Sequence, residues 1–225
     1  EVTISGDTRF DRVLQIKELS KRLPLVEAFK NKKQTVEEAY KQEYKVFVAG
    51  SSWPPDEDIF IRFFNEHPEW KLIIAPHVIG NDHLQQIMSK LNRKTVRYTE
   101  ATPETAAEAQ CMIIDCFGLL SSIYHYGEVA YVGGGFGVGI HNVLEAAVWN
   151  VPVFFGPNNK RFQEAQQLLA SGGAVEITDY NSFDSAMTRF MNDEKWLKEC
   201  GSKAGEYVKS KAGATDIVLK ESLHI

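Results

Sequence analysis

A run of glycines followed by an Asn-x-x-Glu sequence is the part of this chain best suited to chemistry. The glycines lie within residues 133–139, and a helix is predicted over residues 141–149 that contains Asn142 and Glu145. Glycines have no Cβ, so their backbone can approach a ligand closely and adopt positive φ. A helix start offers free N–H groups and the positive end of a dipole to a phosphate. Glu145, one turn further, can accept two hydrogen bonds from a ribose diol.

The same residues also have a purely structural interpretation. Asn142 and Glu145 have the spacing of a capping box, and glycines also form tight turns. The arrangement differs from the dinucleotide fingerprint, which lies at the first βα turn and has its acidic residue about 20 positions later. The residues themselves therefore leave a nucleotide site and a capped helix as compatible alternatives, and they argue against a dehydrogenase.

Three other loops carry residues that can contact a nucleotide, each with a structural alternative. Ser51 and Ser52 can supply hydroxyls to a phosphate or form a plain strand-to-helix turn. The Pro76-His77 pair places an imidazole at a strand end, where a histidine can also be structural or solvent-exposed. The Phe117-Gly118 pair can let a base stack, although a core position for Phe117 is the favoured interpretation.

Short apolar stretches alternate with helical patterns along the chain. Strands are predicted at residues 46–49, 72–75, 112–114, 129–132, 151–155 and 174–177. A first helical stretch is predicted after residues 6–11 and through Leu19. Further helices are predicted at residues 56–66, 81–91, 161–170, 183–191 and, as two terminal helices separated at Gly213, 194–223. Thr8 and Asp11 have capping-box spacing, Ser182 is a plausible cap, and Arg9 is expected to pair with Asp7 or Asp11.

This alternation predicts the fold class. Continuous apolar strands are typical of a parallel sheet covered on both faces, so we expect an α/β, Rossmann-like doubly wound parallel sheet. Right-handed crossovers place the carboxyl ends of all strands at one edge, where ligands bind. Residues 1–225 are interpreted as one domain.

The composition indicates an ordinary soluble globular protein, with 44% hydrophobic and 24% charged residues. A net charge of −5 argues against nucleic acid as the main partner. The cluster of Lys30, Lys32 and Lys33 is either a contact to an anionic membrane or acceptor, or a solvated loop. No apolar run approaches the length of about 18 residues that marks a membrane span. Three cysteines without a CxxC pair indicate buried thiols, and the start at Glu1 without methionine is expected of a domain excised from a longer protein.

Several segments together resemble one family. The segments, in chain order, are Gly6-Asp7-Thr8-Arg9-Phe10-Asp11-Arg12, Ala49-Gly50-Ser51-Ser52, Ile74-Ala75-Pro76-His77, Ile114-Asp115-Cys116-Phe117-Gly118, Val132-Gly133-Gly134, His141-Asn142-Val143-Leu144-Glu145 and Val151-Pro152-Val153-Phe154-Phe155-Gly156-Pro157. The chain resembles the C-terminal domain of 3-deoxy-D-manno-octulosonic acid (Kdo) transferases over nearly all of its 225 residues.

The resemblance implies the donor-binding half of a GT-B glycosyltransferase of lipopolysaccharide core synthesis. The donor is then CMP-Kdo, and the acceptor is a lipid A precursor at the cytoplasmic face of the bacterial inner membrane. Transfer in this family inverts the anomeric centre, with neither a metal nor another cofactor. The general base is a glutamate of the N-terminal domain, so no catalytic residue is expected in this chain. We expect the chain alone to bind nucleotide weakly and to transfer nothing.

The resemblance also implies roles for individual residues. Asn142 and Glu145 would bind CMP, with Glu145 on the ribose. The remaining donor-binding residues would be Ser51 and Ser52 along the cleft, Pro76 and His77 beside an anionic group, Phe117 and Gly118 near the cytosine, and Gly134, Gly135 and Phe136 against the phosphate or sugar.

The chain departs from the family pattern at three places. The family usually has Pro-Arg-His where this chain has Pro76-His77, and it often has Gly-Glu where Gly118 is followed by Leu119. The run between Gly133 and His141 is also slightly shorter. Two alternatives to a Kdo transferase remain at this point: another GT-B enzyme that uses a UDP-sugar for transfer or epimerisation, and a non-catalytic α/β nucleotide-binding module.

Overall fold

The fold was examined in a computed structural model that describes residues 4–31 and 44–223. A seven-stranded, entirely parallel sheet runs through the molecule in the order β3-β4-β2-β1-β5-β6-β7. The strands are β1 (Lys45–Ser52), β2 (Trp70–Pro76), β3 (Thr95–Arg97), β4 (Cys111–Ile113), β5 (Val129–Val132), β6 (Val153–Phe155) and β7 (Ala174–Glu176). The predicted Rossmann-like α/β class is confirmed.

Helices cover both faces of the sheet. They are α1 (Thr8–Glu18), α2 (Pro24–Lys30), α3 (Pro54–Glu66), α4 (Asn81–Lys90), α5 (Pro103–Glu108), α6 (Leu120–Ile123), α7 (Leu144–Ala147), α8 (Gln163–Ser171), α9 (Tyr180–Asn192), α10 (Glu194–Ser210) and α11 (Ala214–Leu223). In the described part of the chain, no helix is long and apolar enough to span a membrane.

Strand alternation divides the core into two layers. Val46 and Val48 of β1 point into one layer, whereas Phe47 and Ala49 point into the other. The second layer is rich in aromatic rings, and the ring of Phe47 lies edge-on to that of Phe183 on α9, with centroids 5.6 Å apart. Burial on both faces explains why the strands are continuous apolar runs in the sequence.

The strand order reverses between β1 and β5. From β1 the chain builds β2, β4 and β3 on one side, and it returns to build β5, β6 and β7 on the other. Gly50 pairs with Val132 at the carboxyl ends of the two central strands. A crevice opens at such a switch point, and ligands of doubly wound sheets bind there. The two loops that follow β1 and β5 therefore border the candidate site.

Several local predictions are wrong. Strand β3 was missed because its three residues are only half-buried and form no apolar run. The cap of α1 is Asp7 rather than Thr8, and Asp11 instead accepts hydrogen bonds from the backbone N–H groups of Gly213 and Thr215. Helix α9 begins earlier than predicted, because Asp179 is its cap and Ser182 is the capping-box partner.

Arg9 forms the predicted ion pair with Asp7, at 2.7 Å, and a second one of the same length with Glu164 on α8. It therefore ties the N-terminal helix start to the rest of the domain. Of the predicted basic cluster, Lys30 pairs with Glu128 at 2.6 Å, while Lys32 and Lys33 lie outside the described residues. Cys111 and Cys200 are buried, Cys116 is half-buried, and all three are free thiols.

Lys71 on β2 is a buried amine whose charge is unfavourable. Its side chain is fully buried, and its Nζ donates to the carbonyls of Phe29 at 2.6 Å and Ala107 at 3.2 Å. Within the described residues no carboxylate pairs with it. Burial, reinforced by the charge of Arg93, lowers the pKa of Lys71 to about 8.

This lowered pKa predicts that stability depends on pH in a specific direction. Between pH 8 and the ordinary lysine pKa of about 10.5, the unfolded chain binds more protons than the folded chain, so stability rises with pH. Relative to Lys71→Met, the wild type should gain about 2 to 3 kcal/mol of unfolding free energy from pH 7 to 10.5. Urea unfolding of both proteins across this range measures the difference, and parallel profiles would contradict it.

Candidate functional site

The loop after β1 and the glycine turn after β5, residues 133–139, are joined by one buried carboxylate. Asp56 at the start of α3 is 1% exposed, and its Oδ2 accepts from the N–H groups of Trp53 at 2.9 Å and Gly134 at 3.0 Å. Its Oδ1 accepts from the Tyr131 hydroxyl at 2.6 Å. Burial raises the pKa of Asp56, while these hydrogen bonds lower it in part. Asp56 thus fixes the position of the turn and was not recognised from the sequence.

The glycine turn is held equally firmly on its other side by the loop between β6 and α8. A Cβ on Gly135 would lie 2.5 Å from the backbone nitrogen of Gly156, so the two backbones touch. Asn158 donates its N–H to the Gly135 carbonyl at 2.9 Å and its side-chain amide to the Gly137 carbonyl at 2.6 Å. The close approach that Gly135 permits is therefore an approach between loops.

Most N–H groups of the glycine turn already have acceptors within the protein. Gly134 donates to Asp56, while Gly137 and Gly139 both donate to the Gly134 carbonyl, at 3.0 and 3.1 Å. His141 donates its N–H to the Gly133 carbonyl at 3.2 Å. The positive φ of Gly134, 92°, serves this internal network. The turn therefore offers a phosphate fewer backbone donors than its glycine content suggests.

The helix behind the turn is shorter than predicted. Helix α7 spans Leu144–Ala147 instead of residues 141–149, so the dipole at its start is small. The residue at its N-cap is Val143, which makes no side-chain cap, so the predicted capping box of Asn142 and Glu145 is not formed. Instead, the Asn142 Oδ1 accepts from the N–H of Leu144 at 3.1 Å, and its side-chain amide donates to Glu145 Oε1 at 3.3 Å. Asn142 therefore orients the Glu145 carboxylate directly.

A second neighbour also orients Glu145. The Ser121 hydroxyl, on α6, donates to Glu145 Oε2 at 2.8 Å. The Trp149 indole N–H donates to the Ser121 carbonyl at 2.6 Å, which fastens α6 to the end of α7. Each oxygen of the half-buried Glu145 carboxylate has one protein donor and can accept another. A cis-diol supplies two such donors.

The segment before α6 is open. The Phe117 side chain is 78% exposed, so the expectation that it is a core residue is wrong. Gly118 has a φ of 86°, and a Cβ added to it would meet nothing within 4 Å. An exposed ring and an accessible backbone next to the segment that holds Glu145 suit a flat heterocycle, for which stacking is favourable.

Three rings are stacked along the crevice. Trp53, His77 and His141 lie in series, with centroid separations of 4.7 Å and 4.5 Å on either side of His77. The Trp53 indole N–H donates to His141 Nε2 at 3.3 Å. Burial lowers the pKa of His141, and the nearby His77 lowers it further. The His141 ring is therefore neutral at pH 7. Trp53 and His141 were not named as site residues, although both lie in loops at the predicted edge.

Two serines behave differently from one another. Ser51 has a positive φ of 52° at a bulge in β1, and its side chain is half-exposed. Ser52 is fully buried, with its hydroxyl donating to Glu57 Oε1 at 2.9 Å. The prediction that the Ser52 side chain lines the cleft is therefore wrong. Its backbone carbonyl accepts a hydrogen bond from the N–H of His77 at 3.0 Å.

The other predicted residues lie around the same crevice. Pro76 is buried at the end of β2, and His77 after it is exposed. Phe136 is half-buried and lines a pocket of about 160 Å³ together with Trp53, Pro55, Asp56, Gly134, Gly137 and Val138. The structure therefore brings the predicted residues to one sheet edge, as right-handed crossovers require.

Sequence comparison identifies relatives of the chain. No family profile matches it. It is 29% identical, over 157 residues, to a 3-deoxy-D-manno-octulosonic acid transferase from Aquifex aeolicus, in a match that covers 67% of this chain and 43% of the relative. The chain thus spans less than half the length of this relative.

Solved structures share the fold. The C-terminal CMP-Kdo binding domain of WaaA from Acinetobacter baumannii superposes with a TM-score of 0.66 at 19% identity, covering 88% of this chain and 97% of that one. A putative UDP-N-acetylglucosamine 2-epimerase from Listeria monocytogenes gives a TM-score of 0.64 at 12% identity, covering 98% and 52% of the two chains. The chain is therefore similar in sequence to the 3-deoxy-D-manno-octulosonic acid transferases, as its ordered motifs predict, and it shares the Rossmann-like fold of these solved structures.

Proposed function

We propose that this chain binds the CMP portion of CMP-Kdo, as the donor domain of a glycosyltransferase that moves Kdo to a lipid A precursor in lipopolysaccharide core synthesis. The observation that carries the proposal is the Glu145 carboxylate, held by Ser121 and Asn142 next to the open Phe117-Gly118 segment. Similarity in sequence to Kdo transferases supports the choice of donor.

The nucleotide fits the crevice in one direction. The ribose hydroxyls donate to Glu145, and the cytosine lies against Phe117 and Gly118. The phosphate then points toward the ring stack and the glycine turn, since these border the crevice at the carboxyl ends of β1 and β5. This order places the glycosidic bond at the open edge of the sheet, where a second domain can present the acceptor.

The chain contributes binding and leaving-group stabilisation to transfer. Negative charge grows on the CMP phosphate as the glycosidic bond breaks, and fixed dipoles and cations stabilise this charge. In the proposed reaction the anomeric centre is inverted without metal, and a glutamate outside this chain removes the proton of the acceptor hydroxyl. The full enzyme would work at the cytoplasmic face of the inner membrane, where its lipid acceptor is held.

Calorimetric titration with CMP, UMP and UDP tests the base assignment. CMP should bind about tenfold more tightly than UMP, because the cytosine amino group can donate a hydrogen bond at a position where uracil has a carbonyl oxygen. Comparing UMP with UDP shows whether a second phosphate has a place in the site.

A preference for UDP would instead favour the other GT-B candidate, an enzyme of UDP-sugars, which the fold shared with the Listeria epimerase supports. Failure to bind any of the three nucleotides would contradict nucleotide binding by this chain.

A further inference from the structure

Arg161 lies in the loop between β6 and α8, beside the glycine turn. Its side chain is exposed, and its Nη2 donates to the carbonyl of Val138 in that turn. A Cβ on Gly139 would lie 2.6 Å from the same Nη2, so the guanidinium packs directly on the Gly139 backbone. The absence of a side chain at Gly139 is what admits the guanidinium to this position.

The same turn connects Arg161 to the ring stack. A Cβ on Gly134 would lie 2.4 Å from the Gly139 carbonyl oxygen and 3.3 Å from the ring of His141. Gly134 is therefore in contact with both the residue under the guanidinium and one end of the stack. Arg161 and His141 therefore border the same few residues of the turn.

The proposed phosphate position needs a cation from a side chain. The N–H groups of Gly134, Gly137 and Gly139 have acceptors within the protein, and the four-residue α7 provides only a weak dipole. The pKa of His141 is lowered, which leaves this ring uncharged at pH 7. The N–H groups of these three glycines and the neutral His141 ring therefore supply little positive charge to an anion.

Arg161 differs from the other long cationic side chains near the sheet edge in its partner. Lys160 pairs with Glu176 at 3.0 Å, and Arg97 pairs with Asp115 at 2.9 Å. Among the residues that the structure describes, Arg161 has a neutral carbonyl as its acceptor and forms no ion pair with an aspartate or glutamate. A guanidinium has five N–H donors, and it stays charged at any physiological pH.

We propose that Arg161 binds the phosphate of the nucleotide donor and so supplies, from the β6–α8 loop, the fixed positive charge of this site. The inference rests on the proposed function, since it assumes a nucleotide seated on Glu145. The proposal assigns to the β6–α8 loop a role in donor binding. It predicts that the contact of Arg161 depends on the phosphate and not on the identity of the base. The bond to Val138 holds the guanidinium at the rim of the turn and leaves further N–H groups for the anion.

The experiment compares a nucleotide with its nucleoside, so that the phosphate contact is isolated. Affinities of this chain for CMP, cytidine, UMP and uridine are measured by NMR titration, for the wild type and for Arg161→Gln, Arg161→Met and Arg161→Lys. The control is Lys160→Gln, which removes the adjacent exposed charge. Glutamine can still donate to the Val138 carbonyl, whereas methionine cannot. Comparing the two variants therefore separates the effect of the lost charge from the effect of the lost hydrogen bond to Val138.

The proposal predicts that the ratio of nucleotide to nucleoside affinity falls about tenfold in both Arg161→Gln and Arg161→Met. The ratio should stay within about threefold of the wild type in Arg161→Lys, which keeps the charge, and remain unchanged in Lys160→Gln. A wild-type ratio in Arg161→Gln would overturn the proposal. An equal loss of nucleotide and nucleoside affinity would also overturn it, because Arg161 would then act only by holding the turn.

Failure of the proposed function gives a different result. If the wild type binds UMP more tightly than CMP, the cytosine assignment is wrong, and the UMP-to-uridine ratio still measures the contribution of Arg161. If the wild type binds neither nucleotide, both proposals are overturned.

Discussion

Replacing Glu145 by alanine should lower the affinity of this chain for CMP by about a hundredfold or more. Hydrogen bonds to a charged group contribute about 1.5 to 3 kcal/mol each, and the proposed ribose contact uses two of them. The effect should be large because Ser121 and Asn142 already hold the carboxylate in place, which reduces the entropy lost on binding.

The ribose contact itself is isolated by a thermodynamic cycle. CMP and 2′-deoxy-CMP are titrated calorimetrically into the wild type and Glu145→Ala. Removal of the 2′-hydroxyl should weaken binding to the wild type and have little further effect on the variant. Glu206→Gln, a change at an exposed residue of α10, serves as the control and should bind like the wild type. An unchanged preference for ribose in Glu145→Ala would show that Glu145 does not contact the ribose.

Replacing Asp56 by alanine should destabilise the fold by about 3 to 5 kcal/mol. The change leaves two backbone N–H groups and the Tyr131 hydroxyl without their acceptor in a buried place. Because Gly134 loses its anchor, the glycine turn should also loosen, and CMP affinity should fall with stability. Urea unfolding monitored by circular dichroism measures the first effect, and calorimetry measures the second.

The control for Asp56 lies two residues along the same helix. Asp58 is exposed and pairs with Lys90 at 2.7 Å, so Asp58→Ala should cost about 1 kcal/mol or less. A similar cost for both variants would contradict the anchoring role of Asp56.

Asp56 should also affect the pH dependence of stability. Burial raises its pKa, so the folded chain holds this proton more tightly than the unfolded chain. Stability relative to Asp56→Asn should therefore decrease as pH rises from the ordinary aspartate pKa through the raised one.

The fold followed closely from local sequence patterns. Val46, Phe47, Val48 and Ala49 form a continuous apolar run because the strand is buried on both faces, and most of the predicted strands lie on such runs. Strand β3 was not predicted because it is a half-exposed edge strand of three residues without an apolar run. Cap positions escaped because Asp7 and Thr8, or Asp179 and Ser182, are equally suitable caps until the backbone angles are known.

The site was predicted less completely than the fold. Asn142 and Glu145 were predicted because they form a recognisable pattern within one short segment. Ser121 was not predicted, since it lies 24 residues before Glu145. Ser52 was misjudged because its buried partner, Glu57, is visible only when the strand and the helix are packed together. Contacts of this kind depend on how strands, helices and loops pack in the folded chain.

The glycine turn illustrates which features local sequence predicts and which depend on tertiary packing. Local sequence patterns predicted a parallel α/β sheet, the sheet edge where a ligand is expected, and the resemblance to Kdo transferases, because strand burial, crossover handedness and ordered motifs are properties of short segments. Tertiary packing was needed to see that the N–H groups of Gly134, Gly137 and Gly139 serve Asp56 and the turn itself, and that Arg161 lies over Gly139. The physical reason is that only an unpaired N–H group is free to donate to a ligand. Asp56, which accepts from the N–H of Gly134, lies 78 residues away in the chain.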